Sequence, residues 1–458
     1  MKNLNVHKKI DITGYNAFRV LWLGQALSVL GTGMTRFAVM IWAYQIDGAA
    51  TTLALLGFFS SLTYIIASPF AGVFVDRFDR RKIMVLADLS SGLLTILLLC
   101  LFLFDGLEIW HLYLSVGLVG GFQAFQEPAF SASVSLLVPR DKYTRCNALL
   151  GLGRSVAHMS SPVLAGLLLQ FFGLELVMAL DLLTMVLGMT GLFLVRIPAP
   201  QASSEGRQVS EDFVRQMRFG VEYIFRRPGL RGLLFTFFLV NLFGTVTYFA
   251  VLSPMILSRS GGDDVILGLV RTTMGLGGIA GGVIISLWGG PKRKVRAYLF
   301  STLSSFLVCD FLMAISHTGT AWALTGFLAE LTIPFIVSPY YALWQELVPA
   351  DVQGRVFATR EMIQVSSQPV GYLAGGLLAD NLFEPALQSG GILAGPLGGL
   401  VGTGPGAGMA AMFLFTSLLG GLTGLFGLLS PAIRKLDMVQ EIVPVEDSHL
   451  AIPNQYME

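Results

Sequence analysis

Long apolar stretches recur along almost the whole chain, and they constrain its fold more than any other feature. An α-helix needs roughly 20 mainly apolar residues to cross the hydrocarbon core of a bilayer. Only 13% of the residues are charged, against about 25% in a soluble domain. The sequence therefore predicts an all-α membrane protein with twelve transmembrane helices, at 18–45, 53–75, 83–104, 109–138, 146–172, 174–197, 230–258, 264–289, 296–317, 319–347, 355–383 and 406–433.

The predicted spans fall into two halves of six. Residues 18–197 would form an N-terminal bundle and residues 230–433 a C-terminal bundle. The linker at 198–229 contains a segment with helical spacing, which predicts an amphipathic helix at the membrane surface or, alternatively, a solvated connection. The ends, 1–17 and 434–458, are predicted to be cytoplasmic.

An internal repeat supports this division. The sequence Leu-Val-Pro at 137–139 occurs again at 347–349, and Arg145 and Ala148 have counterparts in Arg355 and Ala358 at the same offset. Parallel repeats of this kind are typical of transporters that consist of two bundles.

Lysine and arginine are concentrated in the loops on one side of the predicted topology. By the positive-inside rule, both termini and the linker are expected in the cytoplasm. The net charge of +1 gives no indication of nucleic-acid binding. The three cysteines and five histidines show no disulfide or metal-ligand spacing, and no phosphate-binding loop is present, so we expect neither an enzyme nor a cofactor.

The loop after the second predicted span has a specific pattern. It runs from Gly72 to Lys82, and it resembles the signature loop of the major facilitator superfamily, G-x-x-x-D-R-x-G-R-R, with Asp79 in place of the usual glycine. The resemblance implies the two-bundle major facilitator fold and a gating role for the matching residues. These are Gly72, Asp76, Arg77, Arg80 and Arg81.

Other segments are similar to the twelve-span drug:proton antiporters of the macrolide-efflux type. Ser161, Pro162 and Gly166 match a degenerate form of the antiporter motif, for which ordinary close helix packing is an alternative interpretation. The stretches 122–129, 353–358 and 402–408 are similar to that type as well. The resemblance implies proton-driven efflux of amphipathic small molecules, such as macrolide-like drugs, by a monomer in the bilayer of a bacterial inner membrane. Export of one endogenous metabolite such as a siderophore, lipid transport and a non-transporting scaffold or sensor are the alternatives.

Ionisable side chains inside a membrane are costly and are therefore candidates for function. Glu127, Glu330 and Arg36 lie in spans that line the cavity in the superfamily, so the resemblance favours them as proton-coupling residues. We hypothesise that Glu127 exchanges a proton while Arg36 tunes its affinity. A structural role is favoured for Asp181 and Asp310, and Arg154, Arg360 and Glu361 are interpreted as locks near the cytoplasmic helix ends.

A large aromatic cavity with few charges would suit bulky amphipathic ligands. Aromatic and amide side chains in the predicted lining spans are the candidates for contact with such a ligand, although each could equally serve packing. They are Phe37, Gln123, Gln126, Asn241, Tyr248 and Tyr340.

Overall fold

A computed structural model of the chain describes residues 12–47, 50–200 and 213–442. Every long element in these ranges is a helix. The first half contains α1 to α6, of which the last two form one continuous run that is divided at residue 173. The bounds are α1 Gly14–Asp47, α2 Ala50–Arg77, α3 Arg80–Leu103, α4 Ile109–Leu137, and α5 with α6 Tyr143–Leu194.

The second half begins after the linker helix α7. Three of its helices contain a π-helical turn, and each of these continues as one helix through that turn. The bounds are α7 Phe213–Arg226, α8 Pro228–Ser260, α9 Asp264–Trp288, α10 Lys294–Ile315, α11 Gly319–Leu347, α12 353–387, α13 Ala394–Val401, α14 Ala407–Leu429 and α15 Pro431–Ile442.

Nine helices within the described ranges are long and apolar enough to cross a membrane. One of the nine is the run Tyr143–Leu194, which is much longer than a bilayer is thick. It breaks at Gly173, whose φ of 81° lies in the region that glycine adopts most readily. When this run is counted as two helices, α5 and α6, the number of spans is ten. The helices α4 and α12 pack among these spans, and counting them as well gives a total consistent with the predicted twelve transmembrane helices.

The main differences from the predicted boundaries lie near the end of the chain. The last predicted span, 406–433, is divided at Ser430 into α14 and α15, and the short helix α13 lies in the predicted loop before it. Proline at residue 431 begins the new helix, a position at which its missing N–H is tolerated. The remainder of the tail, 443–458, and residues 201–212 of the linker lie outside the described residues.

A buried carboxylate joins the helices of each bundle. In the first half, Asp181 on α6 accepts hydrogen bonds from Thr32 on α1 (3.1 Å) and Thr95 on α3 (3.2 Å). In the second half, Asp310 on α10 accepts from Tyr248 on α8 (2.8 Å) and Thr416 on α14 (3.1 Å). The donors are neutral hydroxyl groups in both cases, and a structural role for these two acids stays a prediction.

Candidate functional site: a charged cavity beneath a closed bundle interface

The two bundles are joined at the end of the molecule that carries the linker helix. Asp76, near the end of α2, accepts hydrogen bonds from the backbone N–H groups of Gly354 (2.6 Å) and Arg355 (3.0 Å). These N–H groups belong to the first turn of α12, where a helix has unpaired donors and a positive dipole end. The Asp76 side chain is completely buried, and the Nε atom of Arg355 lies 3.0 Å from its Oδ2 atom.

Glycine at position 72 allows this contact to form. A Cβ atom at Gly72 would lie 2.9 Å from the Cβ atom of Ala358 and 2.9 Å from the Cα atom of Arg355. Any larger residue would therefore push α2 away from α12.

The basic residues of the signature loop have separate tasks. Arg80 is buried and donates to the carbonyl groups of Ala132, at 2.8 Å, and of Ala350, so it connects α4 with the loop between α11 and α12. Arg81 donates to the carbonyl of Phe193 at 2.8 Å and thereby holds α3 against the end of α6. Asp79, which replaces the usual glycine, accepts from the N–H of Arg81 and caps α3.

Amide side chains extend the closed interface. Gln345 on α11 accepts from Asn147 on α5 at 2.8 Å. Gln353 at the start of α12 accepts from Ser135 on α4 at 2.6 Å. These bonds cross between the halves at the level of the signature loop, so the bundles form a single packed layer at this end.

The linker helix α7 lies across this layer and contacts both halves. Arg77 on α2 donates from its Nε atom to Gln216 on α7 at 2.9 Å. On the other side, Gly220 is so close to α12 that a Cβ atom there would collide with the side chain of Thr359 and the carbonyl of Arg355.

A cavity of about 60 Å³ lies just inside the closed interface. Side chains from α4, α5, α11 and α12 line it, so both bundles contribute to its wall. A buried water needs roughly 10–15 Å³ and two or more polar partners. The cavity therefore has room for a few water molecules, and its charged lining supplies partners for them.

Glu127 and Arg154 form an ion pair in this cavity. An Nη2 atom of Arg154 on α5 lies 2.5 Å from an Oε2 atom of Glu127 on α4. About half of each side chain is exposed, 53% for Arg154 and 40% for Glu127. Glu127 therefore has a close cationic partner and is also open to the cavity.

A second acid faces the same cavity from the other bundle. Glu361 on α12 lies 3.4 Å from the hydroxyl of Tyr341 and 3.5 Å from an Nη2 atom of Arg360. Both distances are at the limit of a hydrogen bond. Glu361 also interacts electrostatically with Glu127 and with Arg154, across the interface between the halves.

Arg360 is held mainly by aromatic rings. Its guanidinium carbon lies 4.4 Å from the ring centre of Tyr341 and 4.7 Å from that of Phe357. The side chain is only 2% exposed. Arg360 thus contacts Tyr341 and Phe357 by cation–π interactions and also pairs with Glu361 at 3.5 Å.

Glu330 lies farther from the linker end of the molecule than Glu127 does. It lies 17 residues before the end of α11 at Leu347, which is about 25 Å along the helix, whereas Glu127 lies 10 residues, or about 15 Å, before the end of α4. Arg271 on α9 interacts electrostatically with Glu330 and donates to the Oγ atom of Ser253 at 2.8 Å.

In this structure Arg154 is the ion-pair partner of Glu127, and the predicted tuning of Glu127 by Arg36, through water or in another state, stays a prediction. Arg36 lies 22 residues after the start of α1 at Gly14, or about 33 Å from the closed end, compared with about 15 Å for Glu127. This axial separation exceeds the reach of an arginine side chain. Among the described residues, Arg36 is exposed and forms no ion pair.

Three predicted cavity residues are engaged within their own bundle. Tyr340 is completely buried, and its ring stacks on that of Phe237 at 3.9 Å, so the structure assigns it to the core instead of the cavity wall. Gln126 donates to Asp88 at 2.5 Å, and Tyr248 donates to Asp310.

The other predicted cavity residues are partly exposed. Asn241 donates to a carbonyl of its own helix at 3.0 Å. Phe37 packs beside an apolar cluster in the first half, and Gln123 lies on α4 one turn before Glu127. Contact of these side chains with a substrate stays a prediction.

The antiporter-like motif forms a close contact between α5 and α1. Ser161 donates to the carbonyl of Leu30 at 3.1 Å, and a Cβ atom at Gly33 would lie 2.5 Å from the Ser161 Oγ atom. Pro162 is in the same helix, and Gly166 faces open space. These contacts agree with the packing interpretation of the motif.

Comparison with known proteins identifies the family. The sequence profile of the Major Facilitator Superfamily matches residues 21–372. The chain belongs to this superfamily. A crystal structure of a bacterial homologue of the iron transporter ferroportin, in an outward-facing state, superimposes with a TM-score of 0.62 at 16% identity, and covers 89% of this chain and 98% of its own.

Curated relatives in this superfamily have names that refer to efflux. Macrolide efflux protein A from Streptococcus pyogenes is 26% identical over 385 residues, which is 80% of this chain and 90% of the relative. Macrolide efflux protein A from Enterococcus faecalis is 28% identical over 335 residues, or 70% of this chain and 98% of the relative. The major facilitator superfamily consists of transporters, so the prediction of a multi-pass transporter is confirmed.

Proposed function

We propose that this protein is a proton-driven exporter of amphipathic small molecules and that Glu127 is its proton-exchange site. The observation that carries the proposal is the half-exposed ion pair of Glu127 with Arg154, in a cavity between the two bundles. Protonation of Glu127 would release Arg154, and this changes the charge of the cavity by one unit. An antiporter needs such a group to exchange substrate for protons.

The proposed orientation in the membrane follows from the distribution of basic residues. Lysine and arginine are abundant in the loops at the linker end, which we assign to the cytoplasm of a bacterial inner membrane. The contacts of Asp76, Arg80 and Gln345 then close the cytoplasmic side of the molecule. A transporter that is closed on its cytoplasmic side can exchange substrate only with the outside.

The class of substrate is supported by the relatives and by the interior. Two relatives are named for efflux of macrolides, which are large and amphipathic. Farther from the linker end, the described ionisable groups include Glu330, its neighbour Arg271, and Arg36. We expect a monomer that draws its energy from the proton gradient and uses no bound cofactor.

The test is transport by Glu127→Gln in everted membrane vesicles with an imposed proton gradient. We expect accumulation of a radiolabelled macrolide to fall by about tenfold or more, because the coupling free energy between proton and substrate is lost. Exchange of labelled for unlabelled substrate without a gradient should continue, since glutamine preserves the shape of the side chain.

Glu222→Gln provides a matched control for this experiment. Glu222 also forms a partly exposed ion pair, with Arg226 at 3.4 Å, but it lies outside the cavity. Expression of both variants is measured beside transport, because removal of a carboxylate leaves its arginine partner without a counter-charge. If Glu127→Gln accumulates substrate against a gradient as well as the parent does, Glu127 is structural and the proton site lies elsewhere.

A further inference from the structure

Asp181 is a buried acid inside the first bundle that the proposed proton exchange at Glu127 does not use. It lies 13 residues before the end of α6 at Leu194, or about 20 Å from the linker end, and its side chain is only 5% exposed. No cationic side chain of the described residues interacts with it. Because a buried charge is normally paired with an opposite charge or with a metal ion, either a cation or a proton must neutralise Asp181.

Three threonine hydroxyl groups surround this carboxylate. Thr32 on α1 and Thr95 on α3 each donate to one of its oxygen atoms, at 3.1 Å and 3.2 Å. Thr35 lies one turn after Thr32 on the same face of α1, and its hydroxyl also interacts with Asp181. Glycine at position 31 allows α1 to approach this closely, since a Cβ atom there would lie 3.1 Å from the Oδ1 atom of Asp181. Oxygen atoms from three helices therefore converge at Asp181.

The hydroxyl group of Thr35 is buried and lacks a partner. The side chain is 8% exposed, and its Oγ1 atom has no hydrogen bond of regular geometry with any described residue. A buried hydroxyl without a partner is destabilising. A ligand held between Thr35 and Asp181 would supply the missing partner.

The other two hydroxyls are spaced as ligands of one ion would be. An O–H group that donates to a carboxylate normally lies about 2.5–2.7 Å from it, so the bonds of Thr32 and Thr95 to Asp181 are long. Adjacent oxygen ligands of a cation the size of Ca²⁺, at about 2.3–2.6 Å from it, are roughly 3.0–3.6 Å apart. Thr95 also lies 3.3 Å from the carbonyl of Ser91, so it can direct its hydrogen there and its lone pairs to a cation.

We propose that Asp181 and the three hydroxyls around it bind a sodium ion. All the ligands are hard oxygen atoms, and Na⁺ is about as large as Ca²⁺. One carboxylate with neutral hydroxyls balances a single positive charge, so a divalent ion would leave excess charge inside the membrane. The larger potassium ion would need oxygen atoms that are farther apart. The bound ion ties α1 to α3 and α6, and this role is independent of proton exchange at Glu127.

The buried acid of the second half provides a matched control. Asp310 is 1% exposed and accepts from Tyr248 at 2.8 Å and from Thr416 at 3.1 Å. Among the described residues no further hydroxyl interacts with Asp310, and neither of its donors is left unsatisfied. We therefore expect no ion at this second acid.

The experiment measures binding of radiolabelled Na⁺ to the purified full-length protein in detergent, at constant ionic strength maintained with choline chloride. We expect one saturable site, from which unlabelled Na⁺ displaces the label and choline does not. The melting temperature should rise over the same range of Na⁺ concentration, because a ligand that binds only the folded state stabilises it. Asp181→Asn should abolish both effects, whereas Asp310→Asn should retain both.

Thr35→Val tests the site with its carboxylate in place, and it serves if Asp181→Asn folds poorly. Loss of this ligand should raise the Na⁺ concentration for half-saturation about tenfold or more. Absence of saturable Na⁺ binding by the parent would overturn the proposal and leave a proton to neutralise Asp181. Binding that persists in Asp181→Asn, or that has parental affinity in Thr35→Val, would overturn it as well. Glu127→Gln should bind Na⁺ as the parent does, so this result is separate from that of the transport test.

Discussion

At the scale of single residues, Asp76 is the group on which closure of the linker end depends most directly. Its carboxylate has no exposed surface and accepts two backbone hydrogen bonds from the opposite bundle. A hydrogen bond to a charged group contributes about 1.5–3 kcal/mol. The sequence identified this residue by its match to the signature loop, but the identity of its partners required the structure.

We predict that Asp76→Asn impairs transport much more than folding. Asparagine keeps the size but accepts fewer bonds and presents an N–H₂ group to the N–H donors of α12. Loss of about 2 kcal/mol would reduce the population of the closed state roughly 30-fold. Transport in vesicles and the melting temperature in detergent would be measured together. Normal efflux by a normally folded variant would show that the basic residues of this loop determine topology and that Asp76 is not needed for gating.

The ion-pair partner of Glu127 could not be predicted from the sequence. Sequence gives the depth of a residue along its helix, but it does not give the rotation that decides which neighbour the side chain faces. The interpretation of Arg154 and Glu361 as end locks depends on depths counted from predicted helix starts at 146 and 355. The helices begin slightly earlier, at Tyr143 and Gln353, and both side chains line the cavity.

At the scale of secondary-structure elements, the linker helix α7 is the element whose contacts were predicted least completely from the sequence. Its amphipathic spacing predicted a helix at the surface, and the described part, Phe213–Arg226, is helical. The spacing did not indicate that Gly220 contacts α12 or that Gln216 contacts α2. Such contacts depend on tertiary geometry, whereas the helix itself depends on local periodicity.

We predict that Gly220→Leu separates α7 from α12 and weakens closure of the linker end. A cysteine introduced at Ser131, in the cavity wall, would report the opening in a background in which the three native cysteines are replaced by serine. Labelling of this cysteine by an impermeant maleimide from the linker side should become several times faster. This is about the effect of destabilising the closed state by 1 kcal/mol.

Val221→Leu is the matched control, because Val221 is in the same helix and 39% exposed. Added volume there meets solvent or lipid and should leave the labelling rate unchanged. Equal labelling rates for Gly220→Leu and the parent would show that α7 only covers the interface without holding it.

At the scale of the whole molecule, the length and spacing of the apolar segments predicted the all-α fold well. Each half buries its helices around an acid held by hydroxyl groups, and the signature loop of the first half contacts the second. Both ends of the described chain, at Ile12 and α15, lie on the linker side. Ile12 pairs there with Val195, and Asp437 on α15 accepts from the N–H of Val295 at 3.1 Å.

We predict that the linker side is cytoplasmic. Single cysteines at Lys292, in the loop between α9 and α10, and at Asp105, between α3 and α4, would lie on opposite sides of the membrane. In intact cells an impermeant maleimide should label Asp105→Cys at once and Lys292→Cys only after lysis. The reverse pattern would overturn the assignment of the linker side to the cytoplasm.

The contact between Asp76 and α12 also bears on how the protein can change over generations. The hydrogen bonds that Asp76 accepts from the second half come from the main chain at Gly354 and Arg355, and every amino acid except proline supplies such an N–H group. Substitution of Arg355 would remove one charge but would leave the backbone donor in place. The first half must therefore retain its aspartate, and Gly354 must stay glycine, because a Cβ atom there would lie 2.5 Å from the Oδ1 atom of Asp76.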